Sequence, residues 1–320
     1  MWKPFSRYPA AELFVAACLC AGLWLGVRRA AYGNKLGSRT SRSTHPVFFF
    51  VETSARRDLN ARQACSIESA ALHHPSIAIK LLMTGRPRDS SPFMHTLRQI
   101  RNVRVARILP HSAFAGTPLE SWYKSSTRLQ SPYAVAHLSD ALRLLLLWRY
   151  GGLYADTDVI VQRSMLDLRN ALGKQDEYNL GNGVLVFDKE HPLLFEAMDV
   201  FSKTYNPLVW DGNGPKLLER ILKNHCSQFL GSKGSESCGD VSALPKEAFY
   251  AVPYGSWEKF FNSEHRTEVL RRTNNSFLIH FWNMLSAKTP VYIGKGSAYE
   301  DAARKNCPSV YEVVRKVGQF

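Results

Sequence analysis

The chain is 320 residues long, with 41 basic against 27 acidic residues and a net charge of +14. A hydrophobic content of 45% with 12% aromatics excludes a disordered chain, and the length suffices for one large α/β domain or two smaller ones. The basic balance raises a nucleic-acid reading, but no basic-aromatic motif supports it, and five of the charges (Arg28, Arg29, Lys35, Arg39, Arg42) sit in the acid-free stretch 28–44.

Residues 1–9, with Lys3 and Arg7, read as a short cytosolic tail, and 10–27 as an apolar segment interrupted only by Glu12. Leu13–Val27 is 15 residues without a charge, below the roughly 20 that span an average bilayer. A cleaved signal, with Ala16-Ala17-Cys18 as a candidate cleavage site, competes with an uncleaved signal anchor. The anchor is preferred because early secretory membranes are thin, although the basic downstream flank runs against the usual charge asymmetry. Residues 28–45 read as a stem and 46–320 as the folded body.

In the body, Val47–Val51 is a continuous apolar run, the pattern of a buried parallel strand. A helix over Asn60–His73, a strand over Ile77–Met83, a helix over Pro92–Ile100 and a strand over Val103–Leu109 follow. This alternation predicts a Rossmann-like, mostly parallel sheet covered on both faces. His137–Tyr150 is a strong helix stopped by Gly151-Gly152. Leu153–Ala155 is a short strand, and Gly183–Phe187 another. Helices are expected over His191–Tyr205 and Pro215–Cys226, a strand over Phe277–Trp282 and a last helix over Pro308–Val317.

Beyond the apolar segment, which holds Cys18 and Cys20, four cysteines remain, as suits a compartment where disulfides persist. Cys226 and Cys238 flank a Gly/Ser-rich loop and are the favoured pair; Cys65 with Cys307 would then tie the first helix to the last. Four free buried thiols are the alternative. Asn274-Asn-Ser276 is a glycosylation sequon.

The stretch that carries chemistry is Tyr150-Gly-Gly-Leu-Tyr-Ala-Asp156-Thr-Asp158. Two acids at positions i and i+2 after a strand can face one cation, and carboxylate oxygens suit Mg²⁺ or Mn²⁺. Asp140 and Arg143 share a face of the preceding apolar helix, either as an ion pair or as contacts to a nucleotide and to the metal aspartates. Ser139 is a candidate helix cap or site residue. A haloacid-dehalogenase-like nucleophile motif is the rival reading of Asp-x-Asp; the mid-chain position and the lack of a later acidic pair argue against it.

Ser139-Asp140-x-x-Arg143 followed by Tyr150-Gly-Gly-x-Tyr154-x-Asp156-x-Asp158 resembles the donor-site signature of the α-1,4-galactosyltransferase (lactosylceramide 4-α-galactosyltransferase) and α-1,4-N-acetylglucosaminyltransferase family. Phe50-Val-Glu-Thr-Ser54, Cys65–Ala71, Asn182-Gly183, Gly214-Pro215, Pro245–Tyr250 and His280-Phe-Trp-Asn283 have counterparts in the same order. The resemblance implies a glycosyltransferase A fold, a UDP-sugar donor (UDP-galactose or UDP-GalNAc), a Mn²⁺ or Mg²⁺ cofactor, and retention of the α configuration. It also implies a single-pass type II Golgi membrane protein with a lumenal catalytic domain and a glycolipid acceptor. Self-association, or association with other glycosyltransferases, stays open.

On this reading Asp158 binds the metal directly, Asp156 binds it through water or holds the ribose, and His280 is a third ligand or a pyrophosphate contact. Thr53, Ser54, Ser139, Asp140, Arg143, Tyr154 and Trp282 would line the donor, and Asn182 would hold the donor sugar. Thr53 and Ser54 fall where the first βα turn of such a sheet meets a nucleotide. Asp211 is a turn residue or an acceptor contact. No further acid stands out as a nucleophile for double displacement, so a front-face mechanism is preferred. The alternatives are an α-1,4-N-acetylglucosaminyltransferase acting on glycoprotein glycans and a catalytically silent sugar-nucleotide-binding relative.

Overall fold

A computed structural model describes residues 46–88, 91–232 and 234–320; the expected tail, anchor and stem, with Cys18 and Cys20, lie outside the described residues. Among the described residues no helix is long and apolar enough to cross a membrane. Strand β1 (Val47–Glu52) explains the layering: Phe48 and Phe50 point into one apolar layer, Phe49 and Val51 into the other, as the two-residue period requires. Helix α1 (Ala61–His73) follows, started by a capping box between Asn60 and Gln63. Then come β2 (Ala78–Met83), α2 (Pro92–Gln99) and β3 (Val103–Arg107). Two short helices, α3 (Pro110–Phe114) and α4 (Leu119–Lys124), were not anticipated.

Helix α5 (Ala134–Tyr150) begins nearly a turn before its expected start, so Ser139 lies inside the helix and is no cap. Gly151 and Gly152 end it with φ of 66° and 105°. A Cβ at Gly152 would lie 2.2 Å from the Val47 carbonyl oxygen, so only glycine lets β4 (Gly152–Ala155) lie this close to β1. Beyond it run β5 (Val159–Val161), β6 (Ala171–Lys174), β7 (Leu180–Phe187), α6 (Pro192–Thr204) and α7 (Pro215–His225). The remainder comprises β8 (Glu236–Cys238), β9 (Val241–Leu244), α8 (Arg266–Thr273), β10 (Leu278–His280), α9 (Asn283–Ser286), α10 (Ala298–Asn306) and α11 (Pro308–Arg315).

Eight strands form one sheet in the order β3-β2-β1-β4-β7-β6-β9-β8. The first four are mutually parallel, as expected, but β7 runs antiparallel to β4 and to β6, and β8 antiparallel to β9. The reason is the connection: residues 175–179 join β6 to β7 as a tight turn closed by Gln175 N–H on the Asn179 carbonyl, too short for a parallel crossover. The sheet is therefore mixed and mostly parallel. Chain direction away from β1 splits here, with β2 on one side and β4 on the other. In sheets with such a switch point ligands bind in the crevice at the carboxyl ends of the strands, here the ends of β1 and β4.

Disulfides join Cys226 to Cys238 and Cys65 to Cys307, the favoured pairing. The Cys226–Cys238 loop is also held by Lys174, fully buried on β6, which donates to the Ser232 and Gly234 carbonyls and pairs with Glu236. Burial works against the Glu236 charge, but Lys174 and the N–H groups of Leu230, Gly231 and Ser232 hold its pKa down to about 2. A depressed folded-state pKa contributes stability above the ordinary value of 4.5 that disappears as pH falls toward about 2. Glu236→Gln is therefore expected to destabilise the protein at pH 7 and to flatten the acid limb of its melting-temperature profile, read by calorimetry.

Candidate active site

The ribbon of β5 and β10 assembles the metal-type cluster. β5 starts directly after Asp158, and β10 runs antiparallel to it with His280 opposite Val159. The Phe281 N–H donates to the Asp158 carbonyl at 2.9 Å, which fixes the register. His280 Nε2 thereby comes to 3.4 Å from Asp158 Oδ1, and one ligand atom from each of Asp156, Asp158 and His280 lies within 4.8 Å of the others. Asp158 Oδ2 accepts the Asn283 N–H at 2.7 Å. Trp282 holds the far side of the imidazole: it adopts a left-handed backbone (φ 55°, ψ 55°), which for a bulky side chain carries strain, and its N–H lies 3.2 Å from His280 Nδ1.

Behind Asp156 stands a buried brace. The Asp156 N–H donates to the Gly183 carbonyl (2.8 Å), and its Oδ1 accepts the Tyr154 hydroxyl (2.6 Å) and pairs with Arg143 Nη2 (3.0 Å). Since the Tyr154 proton is committed to Asp156, the Ser139 hydroxyl, 2.9 Å away, donates to Tyr154 and itself receives Arg143 Nη2 at 3.0 Å. Arg143 Nη1 donates to the Asn182 carbonyl (2.6 Å), and Nη2 lies 3.3 Å from Asp140 Oδ1, which also accepts the Asn182 amide at 2.7 Å. Thus Ser139, Asp140, Arg143, Tyr154, Asp156 and Asn182 form one network.

Burial opposes the Arg143 charge, but Asp156, Tyr154 and Asp140 outweigh it and raise its pKa above the ordinary value. Asp156 is pushed the other way for a carboxylate: burial first, with Asp158 beside it, raises its pKa although Arg143 opposes the shift. A pair of carboxylates held against repulsion next to an imidazole is a donor set for a divalent cation. Gly183 keeps room for one, since a Cβ there would lie 3.0 Å from Asp156 Oδ2 and 3.1 Å from His280 Nε2. Asp156, Asp158 and His280 therefore fit a divalent ion. Gly183→Ala is expected to weaken metal binding by about 10–100-fold with the fold retained, read from the metal-induced shift in melting temperature.

The other expected site residues lie outside this network. Thr53 and Ser54 follow β1 at the crevice, but the Thr53 hydroxyl donates to the Val135 carbonyl (2.8 Å), and the Ser54 hydroxyl and N–H go to Glu52 Oε1 (2.6 and 3.0 Å). The Trp282 ring is buried behind His280, with its indole N–H on the Val252 carbonyl at 3.0 Å. Asp211 closes a turn through its carbonyl, which accepts the Gly214 and Lys216 N–H groups. Asn274 is exposed.

Tyr250 was missed. Its hydroxyl is buried, its ring stacks on Trp282 at 5.3 Å, and burial followed by Asp156 pushes its pKa up. The available signal is the Pro245–Tyr250 block of the family resemblance, which ends on this residue; in the structure a Cβ at Gly181 would meet the Tyr250 hydroxyl at 2.4 Å.

Residues 60–179 match the glycosyltransferase sugar-binding region containing the DXD motif, and residues 186–314 match the α-1,4-glycosyltransferase conserved region. Lactosylceramide 4-alpha-galactosyltransferase of Mus musculus is 35% identical over 83% of this chain and 76% of its own length, and that of Homo sapiens 34% over 83% and 77%. Alpha-1,4-N-acetylglucosaminyltransferase of Homo sapiens is 31% identical over 82% and 78%. Among solved structures, the PaToxG glycosyltransferase (17% identity, 67% of this chain and 79% of that one, TM-score 0.46) overlays loosely. So does the galactosyltransferase LgtC with donor and acceptor sugar analogs (18%, 82% and 96%, 0.41). A DXD-type donor site implies a nucleotide-sugar donor and a divalent metal. On the strength of the sequence relatives, the chain belongs to the α-1,4-glycosyltransferase family.

Proposed function

We propose that the chain transfers galactose, or N-acetylgalactosamine, from its UDP derivative to the 4-hydroxyl of a glycosphingolipid terminus such as that of lactosylceramide, with retention of the α configuration. The observation that carries this is the Asp156, Asp158 and His280 cluster braced by Arg143, in a family whose relatives at 34–35% identity are named for that reaction. We read the sheet as a glycosyltransferase A fold and the metal as Mn²⁺, and place the enzyme in the Golgi membrane with residues 46–320 lumenal. The intact network from Ser139 to Asn182 supports an active enzyme over a silent relative.

When bound, the cation supplies positive charge against the pyrophosphate as the sugar departs. The protein's own part is preorganisation. The Arg143 guanidinium is engaged with Ser139, Asp140, Asp156 and Asn182, so it holds Asp140 and Asp156 in place and compensates their charge. Asn182, oriented by Asp140, faces the donor sugar. The acceptor oxygen bonds to the anomeric carbon as the bond to the β-phosphate breaks, on the same face, and the acceptor proton passes to the departing phosphate oxygen. The test is UDP release by the full chain from UDP-galactose, UDP-GalNAc and UDP-GlcNAc, with and without Mn²⁺. Mn²⁺-dependent release from a galacto-configured donor is expected; release from UDP-GlcNAc alone would move the chain to the N-acetylglucosaminyl reaction.

A further inference from the structure

The loop between α6 and α7 exposes a run of large apolar side chains beside the site. Leu208 is 72%, Val209 40% and Trp210 43% exposed. The loop is nonetheless fixed. Buried Asn213 closes it reciprocally on Asn206, accepting the Asn206 N–H (3.1 Å) and donating to the Asn206 carbonyl (2.8 Å). Asn213 also touches buried His137 (3.2 Å), whose ring contacts the Val209 carbonyl at 3.1 Å and the Tyr205 hydroxyl at 3.0 Å. Four residues beyond Trp210, Gly214 presses on the network: a Cβ there would lie 2.4 Å from the Asn182 amide and 2.9 Å from Asp140. The Trp210 ring meets Tyr133 edge to face at 5.4 Å and 79°. Tyr133 caps α5, the helix that carries Ser139, Asp140 and Arg143.

An exposed indole on a pinned loop, four residues before the glycine that packs on the donor network, is a preorganised contact surface that, among the described residues, Tyr133 meets on one side only by its edge. We infer that the Trp210 ring is the platform for the acceptor, stacking on the apolar face of its terminal galactose. The inference rests on the function proposed above and names the acceptor subsite. The stereochemistry favours galactose. Its C3–H, C4–H and C5–H bonds form one apolar face, and the axial 4-hydroxyl lies on the opposite side. A galactose seated on the indole by that face therefore turns its 4-hydroxyl away from the ring, free to attack the donor. Glucose, with an equatorial 4-hydroxyl, loses both the clear face and that direction. Aromatic surface serves here because it offers apolar area with little side-chain entropy to lose.

The test uses the full chain with UDP-galactose and Mn²⁺, and two acceptors: methyl β-lactoside in solution and lactosylceramide in phosphatidylcholine vesicles. Trp210→Ala is expected to raise the acceptor KM by about tenfold for both, with much less change in the donor KM. Trp210→Phe should recover most of the loss, and Leu208→Ala should leave the lactoside KM near wild type. The preference for methyl β-lactoside over methyl β-cellobioside should shrink in Trp210→Ala. An unchanged lactoside KM in Trp210→Ala overturns the inference; if vesicle-bound acceptor alone is affected, the loop is a membrane contact instead. An equal rise in donor KM also overturns it. A wild-type chain that releases no UDP from any sugar nucleotide refutes the function reading beneath it, and this inference with it.

Discussion

Replacing Asp158 by alanine is expected to lower sugar transfer by about 10³-fold or more, equivalent to about 4 kcal/mol of transition-state stabilisation, with the fold intact. Asp158 sits at the meeting point of two anchors, the Asn283 N–H on Oδ2 and His280 on Oδ1, and its main chain ties β5 to β10. The main-chain tie survives the substitution, so the ribbon should persist and circular dichroism should match wild type. Asp158→Asn separates charge from shape: it keeps an oxygen for Asn283 and nearly the same volume but loses the anion. Both variants should lose the Mn²⁺-induced rise in melting temperature. An Asp158→Asn variant that keeps that rise and normal turnover would show that this carboxylate does not hold the metal.

Arg143→Ala should have the second large effect, this time on stability as well as on rate. Arg143 is buried, and its removal leaves Asp140 and Asp156 without their cation and the Asn182 carbonyl without its donor. Breaking a buried pair in this way costs about 3–5 kcal/mol. Arg143→Lys should recover only part, because an ammonium cannot reach four partners from one planar fork.

The pH dependence has a definite sign. The folded-state pKa of Asp156 is already raised by burial and by Asp158, with Arg143 opposing the shift. A raised carboxylate pKa lowers stability as pH climbs from the ordinary carboxylate value through the folded one. Without Arg143 the deficit should therefore grow with rising pH in metal-free protein and shrink when Mn²⁺ is added. Urea denaturation at several pH values, with and without Mn²⁺, reads this directly. A flat difference between the variant and wild type across pH would contradict it.

What the sequence made legible follows from local pattern. The apolar run of β1 and the glycine pair after α5 declare themselves within a few residues, and the alternation of strands and helices from β1 onward predicts the parallel half of the sheet. The β6–β9 half is only partly so: Gly183–Phe187 marks β7, but β6, β8 and β9 are three or four residues long, and the antiparallel pairing of β7 with β6 depends on a tight turn whose register only tertiary contact fixes.

The same division holds in the site. Asp156 and Asp158 lie two residues apart in sequence and suggest a cation by themselves. His280, 122 positions beyond Asp158, has no local signal and entered only through the resemblance of its block to a known family. For Arg143, helical spacing gives the face but not what lies opposite, so it does not decide between a nucleotide contact and a brace. The reciprocal Asn206–Asn213 closure is invisible in sequence because it depends on which residues of the loop meet, and the block that ends at Tyr250 does not say that its ring reaches the site.

One measurement bears most directly on the central claim, that the braced Asp156, Asp158 and His280 cluster is the donor site of a retaining α-1,4-glycosyltransferase. The full chain is incubated with UDP-galactose, Mn²⁺ and lactosylceramide, and the product linkage is read by proton NMR. The account predicts a new α-linked galactose on the 4-hydroxyl of the terminal residue, formed only with the divalent metal and absent with Asp158→Ala. A β-linked product, or transfer that proceeds equally with Asp158→Ala, would contradict it.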